Sequence, residues 1–216
     1  MNILITGASR GIGRAIAKCF LHEGHMVIGI DRLPSSIDHP HYEHHVLDIR
    51  NEENYPSLPA IDILINNAGV EQGEEVFDTN LKATIAITER YGIHPGIHSI
   101  LFVASASART GAEYPEYAAS KGGVVAYMKN VASRVAAFGA TCNAISPGGV
   151  LTESNAHILN DPAKTEEVLN ETLLHRWAEE EEIAAWAYFL TVVNRSMTAQ
   201  DLLIDNGEEA KFHFVQ

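Results

Sequence analysis

Tyr117 and Lys121 stand four residues apart in YAASK, within a stretch of helical pattern, so their side chains share one helix face. A free phenol has a pKa of about 10, too high for efficient proton exchange near neutrality. A neighbouring ammonium favours the phenolate and lowers that pKa, which makes the two residues a candidate proton-transfer unit. Alone, such a pair is more often a plain exposed helix contact, and the rest of the chain must decide between the readings.

The second candidate lies at the start. Residues 2–13 read NILITGASRGIG, an apolar strand, then Gly7, Gly11 and Gly13, then a helix. Glycines are needed where the backbone turns tightly and comes close to a pyrophosphate, and the helix N-terminus behind them favours negative charge. Asp31 falls 20 residues after Gly11, at the end of the next apolar run. A carboxylate there accepts hydrogen bonds from the hydroxyls of an adenosine ribose.

The elements needed to position these groups follow from periodicity. Apolar runs predict strands at 2–6, 26–31, 44–49, 61–66, 98–105, 140–146 and 201–205. Helical patterns lie near 11–23, 76–91, 115–138, 162–174 and 179–193. Several strands are apolar almost throughout, as strands covered on both faces are. The alternation predicts one doubly wound α/β domain, a single-domain Rossmann fold with a mostly parallel seven-stranded sheet and helices on both faces. No repeat or linker divides the 216 residues.

Further motifs follow in a fixed order. Thr6-Gly7-Ala8-Ser9-Arg10-Gly11-Ile12-Gly13 is followed by Asn66-Asn67-Ala68-Gly69 and Asn80. Ser105 closes an apolar run, Tyr117 and Lys121 stand in YAASK, and NAISPG spans 143–148 with Thr152 beyond it. Asp205-Asn206-Gly207 comes near the end. This ordered set resembles the short-chain dehydrogenases/reductases over essentially the whole chain. It is most similar to 3-oxoacyl-carrier-protein reductases and hydroxysteroid or sugar-alcohol dehydrogenases.

The resemblance implies an NAD(P)-dependent oxidoreductase that exchanges hydride between a nicotinamide and a carbonyl or secondary alcohol substrate. Tyr117 would be the acid/base, Lys121 would also hold the nicotinamide ribose, and Ser105 would bond the substrate oxygen. Asn80 would support a proton relay to Lys121. The cofactor-binding set would be Gly7, Ser9, Arg10, Gly11, Ile12, Gly13, Asp31 and Arg32 at the first two strands, and Asp48 and Ile49 at the adenine. Asn67, Ala68 and Gly69 would lie at the adenosine ribose, and Pro147, Gly148, Val150 and Thr152 around the nicotinamide. Asp31 favours NAD over NADP, since it would repel a 2′-phosphate, whereas Arg10 and Arg32 could pair with one. Ser107 stands close to Ser105, which sits one residue nearer Tyr117 than the family usually shows.

The chain also departs from the family. The 32–60 stretch has little helical periodicity, and only 12 residues separate Asn67 from Asn80. Asn206 replaces a glycine of the usual D-G-G, mildly, because Asn tolerates left-handed backbone. A substrate lid is expected from about 150–175, and a homodimer or homotetramer through surplus apolar positions on the 115–138 helix. The rival reading, motivated by the shortened segments, is a dinucleotide-binding regulatory or scaffold protein without turnover.

Other features exclude function classes. With 15 Lys+Arg against 28 Asp+Glu the formal charge is −13, which repels nucleic acid and anionic lipid. No apolar run reaches the ~18 residues of a membrane span. Two isolated cysteines, Cys19 and Cys142, and no evident signal peptide point to the cytoplasm. His39, His41, His44 and His45 suggest a metal only at first sight, since neighbours in a strand face opposite ways. No metal is expected, and the Glu179–Glu182 run reads as helix capping.

Overall fold

Neighbouring residues of the inner strands serve opposite sides of one sheet. In the computed structural model, which describes residues 1–112 and 114–211, Ile3 and Ile5 face one core while Leu4 between them faces the other. Strand β1 (Asn2–Thr6) is followed by β2 (Met26–Asp31), β3 (Tyr42–Val46), β4 (Ile63–Asn66), β5 (Ser99–Val103), β6 (Thr141–Pro147) and β7 (Asp201–Ile204). All pair in parallel, in the order β3-β2-β1-β4-β5-β6-β7. The order reverses between β1 and β4, and the crevice above such a reversal is where this architecture binds ligands.

Helix α1 (Gly11–His22) follows β1 and packs against α7 (Glu180–Tyr188) on one face. The other face carries α2 (Thr84–Tyr91) and α4 (Pro115–Val135), with Val124, Met128, Val131 and Val135 of α4 turned into the core. Short helices α3 (Ser107–Thr110), α5 (Ala156–Leu159) and α6 (Pro162–Leu169) lie above the strand ends. The Rossmann architecture expected from the alternating pattern is the one observed. The crossovers around β3 are abbreviated as expected, holding only a 3-10 turn at Glu52–Asn54.

Several element bounds differ from expectation, four of them with a clear physical account. The third strand is Tyr42–Val46 rather than 44–49, because Asp48 turns the chain: its carboxylate accepts the N–H of Arg50 at 3.0 Å. Tyr42 can cross β2 because Gly29 leaves room; a Cβ there would lie 2.2 Å from the Tyr42 hydroxyl. The expected 76–91 helix opens as a π-turn at Asp78–Ala83 before α2 begins. The 162–174 helix stops at Leu169, where the buried Thr172 hydroxyl donates to the Leu169 carbonyl and accepts the N–H of Arg176. The 179–193 helix ends in a π-turn, Phe189–Val193. Its acidic start is a cap as expected: Glu182 Oε2 accepts the N–H of Glu179 at 2.9 Å.

Candidate active site

A cleft of about 630 Å³ opens over the C-terminal ends of β1, β4, β5 and β6. Its floor is built by the glycine turn. Gly7 has φ +70° and Gly11 φ +56°, a left-handed backbone that side chains disfavour. Gly13 meets a steric limit instead: a Cβ there would lie 2.0 Å from the Gly7 carbonyl oxygen. The turn delivers α1 with no side-chain cap from Arg10 and no acidic residue in its first turn. The helix itself supplies no anion to its N-terminal N–H groups, a cradle that fits the pyrophosphate of a dinucleotide, and the Glu153 carboxylate from across the cleft reaches the Gly11 N–H.

Thr6 ties this turn to the end of β4. Its hydroxyl accepts the N–H groups of Asn67 at 3.0 Å and Ala68 at 3.1 Å, and Asn67 Nδ2 donates to the carbonyls of Thr6 and Gly7. The two loops flanking the switch point are therefore one hydrogen-bonded unit. Sequence reasoning used Thr6 only as part of a motif and missed this role.

A smaller recess is lined by Arg10, Asp31, Arg32, Asp48, Ile49 and Arg50, among others, the residues expected at an adenosine. Asp31 is oriented from two sides: Oδ2 accepts the N–H of Ser9 at 3.0 Å and Oδ1 that of Leu33 at 2.9 Å. Asp48 faces the Arg50 guanidinium, whose hydrogen bonds hold its carboxyl below the usual carboxylate range. Ser9 does not line either recess. Its hydroxyl turns inward to the Leu33 carbonyl, so only its backbone serves the turn.

The opposite end brings together Ser105, Ser107, Tyr117 and Lys121 with Pro147, Gly148, Val150 and Thr152. Lys121 is buried, and its Nζ donates to the carbonyl of Val103 at 2.8 Å. Burial lowers its pKa to about 8, with the Glu71 carboxylate acting in the opposite direction. The ammonium sits 5.7 Å from the centre of the Tyr117 ring. Ser105 and Ser107 hydrogen-bond each other at 3.1 Å, so the two serines form one hydroxyl pair at the end of β5.

Asn80 lies one layer behind the cleft. Its Oδ1 accepts the N–H of Val70, and its Nδ2 donates to the Val70 carbonyl and to the Ser120 hydroxyl. The π-turn that carries Asn80 widens the helix, a feature frequent at functional sites. Sequence reasoning missed Ser120, and also Glu71, Glu171, Trp177 and Glu208, which line the cleft. The last four lie outside the quoted motifs, whereas Ser120 stands inside YAASK on α4. Among the described residues, no three His, Cys, Asp or Glu side chains gather as a metal site would need. His44 instead bonds Tyr42 and the Leu33 carbonyl, and His45 meets Glu43.

A parallel sheet whose switch point carries a glycine turn, a carboxylate at the end of the second strand and a buried Lys beside a Tyr has the architecture of a dinucleotide-binding α/β oxidoreductase. A family model described as enoyl-(acyl carrier protein) reductase matches residues 7–209. The chain belongs to the short-chain dehydrogenase/reductase family. It is 31% identical to the 3-oxoacyl-[acyl-carrier-protein] reductase FabG of Chlamydia pneumoniae, over 95% of this chain and 96% of that protein. Among solved structures it is similar to a 4-hydroxyisoleucine dehydrogenase complexed with NADH, with TM-score 0.86, 25% identity and coverage of 98% and 99% of the two chains. It is also similar to a gluconate 5-dehydrogenase from Beutenbergia cavernae with bound NADP, with TM-score 0.84, 26% identity and 97% of each chain covered.

Proposed function

We propose that this oxidoreductase interconverts a secondary alcohol and its carbonyl with a nicotinamide dinucleotide, Tyr117 exchanging the proton. The observation that carries this reading is the buried Lys121 ammonium, anchored on Val103 at 2.8 Å and 5.7 Å from the Tyr117 ring centre. When bound, the nicotinamide supplies or accepts the hydride. In the reducing direction the Tyr117 hydroxyl donates its proton to the substrate oxygen, and the Lys121 charge stabilises the phenolate left behind. The Ser105 hydroxyl hydrogen-bonds the same oxygen as negative charge grows there. Asn80 is a positioning residue, holding Val70 by both backbone groups and so fixing the loop that borders the cleft. The rival scaffold reading has no feature of this site on its side.

The cofactor set runs along the cleft: Gly7, Arg10, Gly11, Ile12 and Gly13 at the pyrophosphate, and Asp31, Arg32, Asp48 and Ile49 at the adenosine. Asn67, Ala68 and Gly69 line its middle, and Pro147, Gly148, Val150 and Thr152 the nicotinamide end. Asp31 favours NAD: its oxygens, oriented by Ser9 and Leu33, suit ribose hydroxyls and repel a 2′-phosphate. The substrate lid is the 150–175 segment, from which His157, Ile158, Val168 and Glu171 line the cleft. The chain acts as one domain and assembles as a homodimer or homotetramer. Exposed apolar side chains that could serve it include Trp186 of α7 with Phe189 and Val193 of the following π-turn, and Phe138 at the end of the 115–138 segment. Free Cys19 and Cys142 agree with a cytoplasmic address. Among the described residues no helix is long and apolar enough to cross a membrane.

A panel of ketones and secondary alcohols with NAD(H) and NADP(H), followed by nicotinamide absorbance, tests the reading. Tyr117→Phe is expected to retain nucleotide binding and to lose about 100- to 10,000-fold in kcat. Turnover that survives this substitution would remove Tyr117 from the mechanism.

A further inference from the structure

The base of the lid reaches into the dinucleotide half of the cleft. Leu151 donates its N–H to the Ala178 carbonyl at 2.9 Å, and Ala178 donates to the Gly149 carbonyl at 3.0 Å, which pins the chain just past β6. Thr152 then lies over the glycine turn, its Cγ2 3.8 Å from where a Gly11 Cβ would stand. A 3-10 turn follows, Glu153–Asn155, and Asn155 locks it by donating from Nδ2 to the Val150 carbonyl at 2.8 Å. Glu153 is thereby aimed at the start of α1.

Its carboxylate meets two donors there. Arg14 Nη2 donates to Oε1 at 2.6 Å, and the Gly11 N–H bonds the same carboxylate. Within α1 the hydrogen-bond ladder opens with the Arg14 N–H, which donates to the Arg10 carbonyl at 3.2 Å. The amides of Gly11, Ile12 and Gly13 precede that ladder and form the anion cradle. Glu153 thus sets an anion of this chain on a donor that a pyrophosphate would take. A carboxylate and a pyrophosphate, both negative, repel each other strongly when brought to one N–H.

The arrangement also provides an exit. The Glu153 side chain is 50% exposed, so its carboxylate has water to turn into. Arg14 keeps a second acid within reach, since Glu180 Oε2 at the start of α7 lies 3.7 Å from the same nitrogen. The guanidinium can pass from Glu153 to Glu180 without losing an acidic partner.

Resting on the dinucleotide reading above, we infer that Glu153 is a built-in competitor for the pyrophosphate, displaced from Gly11 when a nucleotide binds and returned when it leaves. The contact lowers nucleotide affinity and couples release to reseating of the first turn of the lid.

Calorimetric titration of the protein with NADH and with ADP-ribose tests this. Glu153→Gln keeps the shape and an acceptor oxygen but removes the charge. It should bind both ligands about three- to tenfold more tightly, the scale of one charge at a helix N-terminus. Tighter binding is a gain that misfolding cannot produce. ADP-ribose carries the pyrophosphate without the nicotinamide, so a gain for NADH alone would overturn the inference. Glu180→Gln removes a carboxylate from the same guanidinium and should give no gain. An equal gain in both variants would mark a through-space charge effect and overturn the inference as well. Glu153→Ala, measured without nucleotide, should exchange its Gly11 amide with deuterium faster than wild type, and an unchanged rate would contradict the contact. Unchanged or weaker binding by Glu153→Gln overturns the inference while leaving the dinucleotide reading standing. No binding of either ligand, by wild type or variants, would count against the NAD reading as well.

Discussion

Lys121 and Val103 join the helix that carries Tyr117 to the strand end that carries Ser105. The Lys121 ammonium donates to the Val103 carbonyl at 2.8 Å, from a fully buried position on α4. Val103 is the last residue of β5, and Ser105 follows two residues later. One hydrogen bond thus sets the spacing between the proposed proton donor and the hydroxyl that would share its substrate oxygen.

That burial has a consequence for stability. Lys121 has its pKa lowered from 10.5 to about 8, so between those values the unfolded chain holds more protons than the folded one. Stability should therefore rise with pH across this window, by up to about 3 kcal/mol from this group, while below pH 8 the full penalty persists. Urea unfolding of the nucleotide-free protein and of Lys121→Met, compared from pH 7.5 to 10.5, reads the difference. Parallel curves would contradict the depressed pKa.

Gly13→Ala should abolish nucleotide binding and cost about 1–3 kcal/mol of stability by overpacking. The added methyl would lie 2.0 Å from the Gly7 oxygen and 2.4 Å from Asn67 Nδ2, pushing the two halves of the switch point apart. Gly24→Ala makes the control, since its Cβ would meet nothing within 4 Å and only its left-handed φ of +78° resists the change. It should cost about 1–2 kcal/mol and leave nucleotide affinity intact. Titration calorimetry with NAD distinguishes the two.

Asp31→Ala should weaken NAD by about tenfold or more and narrow or reverse the preference over NADP, because Arg10 and Arg32 line the same recess. Dissociation constants for both nucleotides with both proteins settle the point. A wild-type protein that prefers NADP would refute the assignment.

Removing the Asn80 side chain strips three hydrogen bonds, two of them to the backbone of Val70. Asn80→Ala should cost about 1–3 kcal/mol and free the loop bordering the cleft. Hydrogen exchange at the Val70 amide should accelerate well beyond the global change, and kcat should fall more than nucleotide affinity. An unchanged Val70 exchange rate would argue against the positioning role.

Much of this molecule was legible before folding was considered. The inner strands β1, β2, β4, β5 and β6 are apolar on both faces, so their runs stand out from any loop. The edge strand β3 is half-exposed and written with Tyr42, Glu43, His44 and His45, and its position shifted by two or three residues because no apolar period marks it. The π-turns at Asp78–Ala83 and Phe189–Val193 have no sequence signature, and they read as ordinary helix. The stop at Leu169 depends on Thr172 being buried, a tertiary circumstance. Ser9 was named from its place in the turn, but which way its hydroxyl points depends on where Leu33 arrives.

The sequence by itself determined the fold class and named Gly7, Gly11, Gly13, Asp31, Asn80, Ser105, Tyr117 and Lys121 as candidates. Backbone conformation, apolar period and side-chain chemistry are local properties, and residue types in order carry them. Only the tertiary structure decided that Thr6 bolts the glycine turn to Asn67, that Lys121 is buried against Val103, and that Trp177 lies on Gly149. Those relationships join residues distant in the chain, and proximity across a sheet edge is created only when the strands and helices pack.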